Sequence, residues 1–425
     1  MKNLHAVMNK NTQPIRLASS LPWAGVLVFL IPALSLITTF GIGLGSFLFV
    51  LALPFVWRDG RQAMARHWPA VRWVVLAFAF NFAVTLVFFA LRPEQPLNSV
   101  EKPLRMFCAV SALMVVLATA PPRRALYWGV VVGAVGAFLL VGYQRIVLDI
   151  ERPGGLTNAV TFGDMAVCLG LVALAAAVDV SQHRFQTLWL VLGALAGLLA
   201  SFISATRGAW VALGLAALLL VRHVFIMRST RMRALLFAGL ALVASLYFIP
   251  SSGMQERVAQ GISDVRAWNN GGEKFTNVGI RLELWKGAGM LIAERPLFGR
   301  EPAVAHARMK EYVAEGRLDA VALAPLHLHN DALDALVSGG LPGLLAWLGI
   351  LGAPFVFFAR QARLAAGPQH PRYALALAGM LVPLSYFGFS LTDTMFWSVK
   401  PSMFYALMVF ILMGLCLNQK EELGN

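Results

Sequence analysis

The chain has 425 residues, of which 58% are hydrophobic and only 13% charged, and its mean hydropathy is +0.69. That composition excludes a soluble globular protein of the ordinary kind and predicts a polytopic membrane protein. The formal charge of +14 does not imply nucleic acid. Most basic residues outside one long polar stretch fall in short connections between apolar runs, where they set membrane topology.

Residues Met1 to Arg16 are polar and basic, and the apolar run after them has no small-residue cleavage site. This predicts a retained first span with a cytoplasmic N-terminus. A span needs about 20 apolar residues, and such runs fall at 17–38, 41–57, 70–92, 104–121, 124–146, 156–180, 186–205, 208–227, 232–250, 333–359, 373–391 and 402–418. The expectation is an all-α polytopic membrane protein of about twelve transmembrane helices. With the N-terminus inside, Arg58, Arg61, Arg66, Arg72, Arg123, Arg124, Arg184, Arg222, Arg228, Arg231, Arg233, Arg360, Arg363 and Arg372 all fall inside. The opposite short loops carry far fewer cations. The organisation read from this is a membrane bundle over 1–250, an extracytoplasmic helical insert over 251–332 and a second bundle over 333–425. Cys108, Cys168 and Cys416 lie in or beside apolar segments without ligand spacing, which predicts neither disulfides nor a zinc site.

Several polar residues on the outer side depart from a simple span end. Lys102 and Arg105 enter the fourth span three positions apart, so one helix face carries both. Snorkelling at the interface and contact with an anionic headgroup or pyrophosphate both account for them. Arg152-Pro-Gly-Gly155, Asn158, Thr161 and Asp164 bring polar groups into the start of the sixth span. Asp164 reads as a functional carboxyl or as half of a structural ion pair. Arg207, in Ser204-Ala-Thr-Arg-Gly-Ala-Trp210, sits at a tight outer turn beside Gly208. A forked guanidinium next to a glycine suits a phosphate, and an interfacial anchor is the plainer reading.

Within the insert, a solvated helix over 254–268 is broken by Asn269-Asn-Gly-Gly272, and another restarts at Gly279 with Ile280, Leu284, Gly287 and Leu291 on one apolar face. Arg281 falls in its first turn, against the helix dipole, so a ligand or a partner such as Glu283 or Glu273 is expected to offset it. At the far end His329 precedes Asn330, a helix cap, and Asp331 and Asp334 suit the first turns. Gly339-Gly340 and Pro342-Gly343 permit a bend or close packing. An imidazole before a helix N-terminus is favoured in its neutral form, which is what a general base needs. His327 and His329 form a His-x-His pair with only Asp331 as an evident third donor, so no metal site is expected. No nucleotide-binding loop or serine-nucleophile motif is present, so the energy for any reaction must lie in the substrate.

Thr206-Arg207-Gly208-Ala209-Trp210, then Arg281 and Trp285 with Pro296 and Gly299, then His329-Asn330 followed by nine residues, Gly340, two residues and Gly343, resemble the O-antigen ligase family. O-antigen polymerases and protein O-oligosaccharyltransferases share parts of the pattern. The resemblance implies a GT-C type glycosyltransferase in the bacterial inner membrane, with its site facing the periplasm. It would transfer O-antigen glycan from undecaprenyl pyrophosphate to a sugar hydroxyl of lipid A-core. The resemblance carries His329 as general base and Arg207 and Arg281 as the pyrophosphate clamp, with Lys102, Arg105, Asn330 and Asp164 as substrate-binding candidates and no cofactor. Its partners would be the lipid-linked glycan, lipid A-core and membrane lipids. An O-antigen polymerase is the alternative within the enzyme class, and an anionic-lipid transporter or flippase the alternative outside it.

Overall fold

Hydrocarbon offers no hydrogen bonds to a backbone, so an apolar run that crosses it must satisfy its peptide groups within itself. The computed structural model describes residues 22–92, 95–179, 183–206, 208–227, 241, 254–325, 327–365, 367 and 370–418. Among them there is no strand. The helices are α1 (Pro22–Leu34), α2 (Gly41–Leu91), α3 (Asn98–Cys108), α4 (Val110–Thr119), α5 (Arg123–Ile146), α6 (Ala159–Ala176), α7 (Arg184–Ile203) and α8 (Ala209–Met227), then α9 (Met254–Asn269), α10 (Asn277–Glu294) and α11 (Pro302–Ala314) in the insert, and finally α12 (Asp331–Leu364), α13 (Pro371–Ser390) and α14 (Val399–Leu417). Eight helical stretches among the described residues are long and apolar enough to cross a membrane, and α1 and the start of α8 add shorter apolar helices. The fold is all-α and polytopic. Apart from residue 241, the span expected at 232–250 lies outside the described residues, as do Arg228, Arg231 and Arg233.

One element differs from expectation. Residues 41–57 and 70–92 read as two spans, and they form one helix of 51 residues. At 1.5 Å per residue a straight helix of that length would run about 76 Å, more than twice a hydrocarbon core. Both of its ends nevertheless bond to the same face of the molecule. The carbonyl of Thr38, just before it, accepts from Lys400 in the first turn of α14, and Arg92, just after it, donates to Ser338 in α12 and Phe298 in the insert. The chain therefore crosses and returns, as two spans require, while helical pairing runs through the connection. Gln62, Ala63, Met64 and Ala65 are good helix formers with nothing to stop a helix, and Pro54 and Pro69 each remove a ladder hydrogen bond on either side of them.

Helices α6, α13 and α14 form the centre of the bundle. Each is apolar all round and buried on nearly every side, the pattern of a helix enclosed by other helices. Tyr386 and Tyr405, fully buried there, direct their hydroxyls to the carbonyls of Pro401 and Ile350.

The insert has a small core of its own, in which Leu284, Ala288 and Leu291 of α10 pack with Ala305, Met309 and Tyr312 of α11 and with Leu318, Ala322, Leu328 and Val337. The apolar face read from sequence is the buried one. Its helix starts at Asn277 with Thr276 accepting from the Gly279 amide, two residues earlier than expected, so Arg281 falls in the second turn, where the dipole acts more weakly.

The insert docks onto a break in α12. Gly340 has φ 58° and ψ −150°, a conformation open essentially to glycine alone, and a Cβ there would collide with the Leu297 carbonyl. Gly299 answers it with φ +60°, and its Cβ would meet the Val337 carbonyl at 2.5 Å. The Arg300 amide donates to the Val337 carbonyl at 2.7 Å and the Leu341 amide to the Pro296 carbonyl at 3.1 Å. The turn 295–299 and the kink thus interlock by direct backbone contact.

Candidate functional site

Three consecutive residues at the start of α12 hold the loop between α13 and α14. His329 Nδ1 lies 3.0 Å from Asp393 Oδ1. Asn330 caps α12 by accepting from the Leu333 amide at 3.1 Å, and its Nδ2 donates to the Leu391 carbonyl at 3.3 Å. The Asp331 carboxylate, buried, accepts from the Ser390 hydroxyl at 2.6 Å and from the Met395 and Phe396 amides at 2.9 and 3.3 Å. Asn330, a substrate-binding candidate from sequence, therefore caps the helix and fixes the loop, and Asp331 fixes the same loop. His329 itself has φ 50°, a left-handed conformation that costs a non-glycine residue on the order of 1 kcal/mol or more. The contacts of its neighbours impose it.

Asp393 was not singled out by sequence reasoning. The available signal was a carboxylate in a short loop, Thr392-Asp-Thr394, between two otherwise apolar spans. Burial pushes its carboxyl up, but hydrogen bonds from His329 and from the Thr394 amide outweigh burial and leave it below its ordinary value. An ionised carboxylate has no proton to give, so Nδ1 of His329 is the donor, and in the neutral imidazole Nε2 then carries the lone pair.

Arg281 reaches this cluster from the insert. Trp285, one turn further along α10, donates to the Leu328 carbonyl at 3.0 Å, which ties the helix to the backbone immediately before His329. Burial lowers the Arg281 pKa, the Asp393 charge opposes that, and Arg152 and Asp164 act on it as well. Glu283, named from sequence as a possible partner, is engaged elsewhere. Buried, it accepts from Trp268 Nε1 at 2.8 Å and from the Asp319 amide at 2.9 Å, with Lys274 and Lys286 within 4 Å. Among the described residues Arg281 has no hydrogen-bonded partner, and a partly buried guanidinium of this kind suits an anion.

Asp164 projects from α6, fully buried, and neither of its oxygens has a hydrogen-bond partner among the described residues. Thr206 seals the N-terminus of the same helix by donating to the Ala159 carbonyl at 2.8 Å. Arg207 lies outside the described residues. Gly208, next to it, is required by a neighbour in the fold: a Cβ there would collide with the Thr392 hydroxyl and stand 4.0 Å from Asp164 Oδ1.

Lys102 and Arg105 share a helix but not a destination. Lys102 Nζ donates to the Trp397 carbonyl and stands 5.1 Å from the centre of its ring, whereas Arg105, half exposed, pairs with Glu101 one turn back. Lys102 is thus tied to the same loop as His329, and Arg105 is not.

His327, His329 and Asp393 each offer one ligand atom, all within 4.8 Å of one another. The third donor beside the His-x-His pair is therefore Asp393, not Asp331. Burial and the neighbouring His329 lower the His327 pKa, its Nδ1 is buried without a partner among the described residues, and its ring lies against those of His329 and Trp397, with centroids 4.2 and 5.7 Å away.

Residues 192–348 match the family model described as O-antigen ligase. The match spans just over a third of the chain and agrees with the resemblance read from its motifs. The matched stretch runs from α7 through the kink of α12 and contains Arg207, Arg281, His329, Gly340 and Gly343, while Lys102, Asp164 and Asp393 lie outside it. An uncharacterized protein of Haemophilus influenzae is 21% identical over 292 residues, covering 68% of this chain and 73% of that relative. Similarity to the O-antigen ligase family model points to a glycosyl-transferring enzyme, and the helices make the chain a multi-pass membrane protein.

Proposed function

We propose that this protein is a member of the O-antigen ligase family and transfers O-antigen glycan from undecaprenyl pyrophosphate to a sugar hydroxyl of lipid A-core, at the periplasmic face of the bacterial inner membrane. The reaction needs a base for the acceptor hydroxyl and cations for the leaving pyrophosphate. The observation that carries this reading is the His329–Asp393 pair with Arg281 beside it. His329 Nε2 takes the hydroxyl proton, the acceptor oxygen bonds to the anomeric carbon, and the bond to pyrophosphate breaks with its electrons going to the leaving oxygen. Attack from the face opposite the pyrophosphate inverts the anomeric centre. Arg281 and Arg207 meet the charge that develops there, where forked guanidiniums outperform ammonium groups. Lys102 is a weaker candidate for the same anion, and Asp164 a further substrate-binding candidate. The GT-C reading rests on the family resemblance, and the transfer is read as metal-independent because the hydrogen bond to Asp393 already orients His329 as a base.

The test is purified protein supplied with lipid-linked glycan and lipid A-core and no nucleotide. Glycan joined to the core supports the reading. Glycan that lengthens without joining the core makes the chain a polymerase, and glycan moved across a bilayer without new bonds makes it a transporter.

A further inference from the structure

The end of α2, the turn 295–301 and the start of α11 enclose a cavity of about 370 Å³ lined by Phe88, Leu91, Arg92, Arg295, Phe298, Gly299, Arg300, Glu301 and Val304. It shares no lining residue with the His329 cluster. Its rim is apolar and open: Leu91 is 71% exposed and Phe298 65%. Leu297 and Leu341 are also exposed close by. Exposed apolar side chains at the end of a membrane-length helix belong against hydrocarbon, not water. Its inner wall is cationic. Three guanidiniums face one carboxylate, Glu301, and Glu294 engages only the Nη2 of Arg300. Arg92 is held in place by the carbonyls of Ser338 and Phe298 and by the Phe88 ring, 4.4 Å from its guanidinium. Two donor groups are left over. Among the described residues Arg295 makes no side-chain hydrogen bond and is exposed, and the Arg300 Nε–H is buried without an acceptor.

We propose that this cavity binds the phosphate headgroup of an anionic bilayer lipid, from the leaflet on the insert's side, with its acyl chains lying along Phe88, Leu91 and Phe298. The phosphate accepts from Arg295 and from the orphaned Nε–H of Arg300, and Arg92 adds positive charge behind them. The apolar rim is what separates a lipid from a free anion, since only a lipid covers Leu91 and Phe298. Because Arg92 and Arg300 also bond to the kink region of α12, a lipid seated here would brace the junction between insert and bundle. The inference stands whether or not the chain transfers glycan.

The test uses the full-length protein in non-ionic detergent, titrated with dihexanoyl phosphatidylglycerol, dihexanoyl phosphatidylcholine or inorganic phosphate and read by native mass spectrometry. Both lipids offer the same phosphodiester, but the choline cation of phosphatidylcholine meets three guanidiniums, so phosphatidylglycerol is expected to bind about tenfold more tightly, and inorganic phosphate at the same concentration is expected not to displace it. Arg295→Gln, which removes no hydrogen bond of the fold, should lower that affinity about tenfold. Arg300→Lys, which keeps a cation for Glu294 but deletes the Nε–H, should lower it as well. Equal binding of the two lipids, or an unchanged affinity in both variants, would overturn the proposal. Competition by inorganic phosphate would reduce the cavity to a bare anion site and overturn its lipid assignment.

Discussion

Nδ1 of His329 lies 3.0 Å from Oδ1 of Asp393, 64 positions later in the chain and beyond two membrane spans. The contact exists because Asn330 and Asp331 fix the loop that carries Asp393 through four further hydrogen bonds. A base that must keep one tautomer is thereby held by a carboxylate that is itself held.

Asp393→Asn tests that arrangement with little change of shape. A carboxamide is able to donate to Nδ1, which leaves the proton on Nε2 and removes the lone pair the acceptor hydroxyl needs. Transfer is expected to fall on the order of 10²-fold or more, with donor affinity within about twofold of wild type, since no anion contact is lost. Single-turnover transfer and equilibrium donor binding, measured side by side, check the split. An equal loss in both would make Asp393 a structural residue only.

The interlock of Gly299 and Gly340 predicts a sharp contrast within one helix. Gly340→Ala forces a side chain into the Leu297 carbonyl at a strained φ and should cost on the order of 2–3 kcal/mol or more. Gly352→Ala, where a Cβ meets nothing within 4 Å, should be neutral or mildly stabilising. Thermal unfolding and proteolysis of the insert report both. Equal behaviour of the two variants would mean that the docking contact carries no energy.

Much of this was readable beforehand. Asn330 as a cap, the glycines at the kink and the apolar face through Leu284 and Leu291 all follow from local chemistry, which sequence expresses directly, whereas His329 and Arg281 were grouped through the family resemblance. What was not readable depends on contacts between distant segments. Asp393 is an ordinary loop aspartate until two spans return it to His329, and Gly208 is explained by Thr392, more than 180 positions away. Lys102 and Arg105 share a face by spacing, and only the position of Trp397 separates them. The single helix α2 was missed because a cluster of arginines marks a span boundary without being a helix breaker.

The insert should respond to acid through Glu294. Hydrogen bonds from Arg308 and Tyr312 hold its carboxyl at about 2, against an ordinary 4.5. A depressed carboxyl stabilises the fold fully above its unfolded pKa and loses that contribution as pH falls through the folded one. Glu294→Gln should therefore cost about 1 kcal/mol near neutrality, discounted for the partial exposure of the cluster. The gap to wild type should narrow as pH drops from 4.5 towards 2. A gap independent of pH would remove the ionic origin of the effect.

Metal independence is open to a direct check, because His327, His329 and Asp393 offer three donors within 4.8 Å. With His329 as a hydrogen-bonded base, strong chelation should leave the rate of transfer within about twofold, since no Lewis acid is needed to activate a sugar hydroxyl. Activity lost on chelation and restored by a divalent ion would instead assign those residues to a metal.

The central claim is that His329 removes the acceptor proton. The most direct measurement compares wild type with His329→Ala, purified and monodisperse, for binding of the lipid-linked glycan and for single-turnover transfer to lipid A-core. The account predicts donor binding close to wild type and transfer slower by about 10²–10⁴-fold. Transfer by His329→Ala at a near wild-type rate would contradict it.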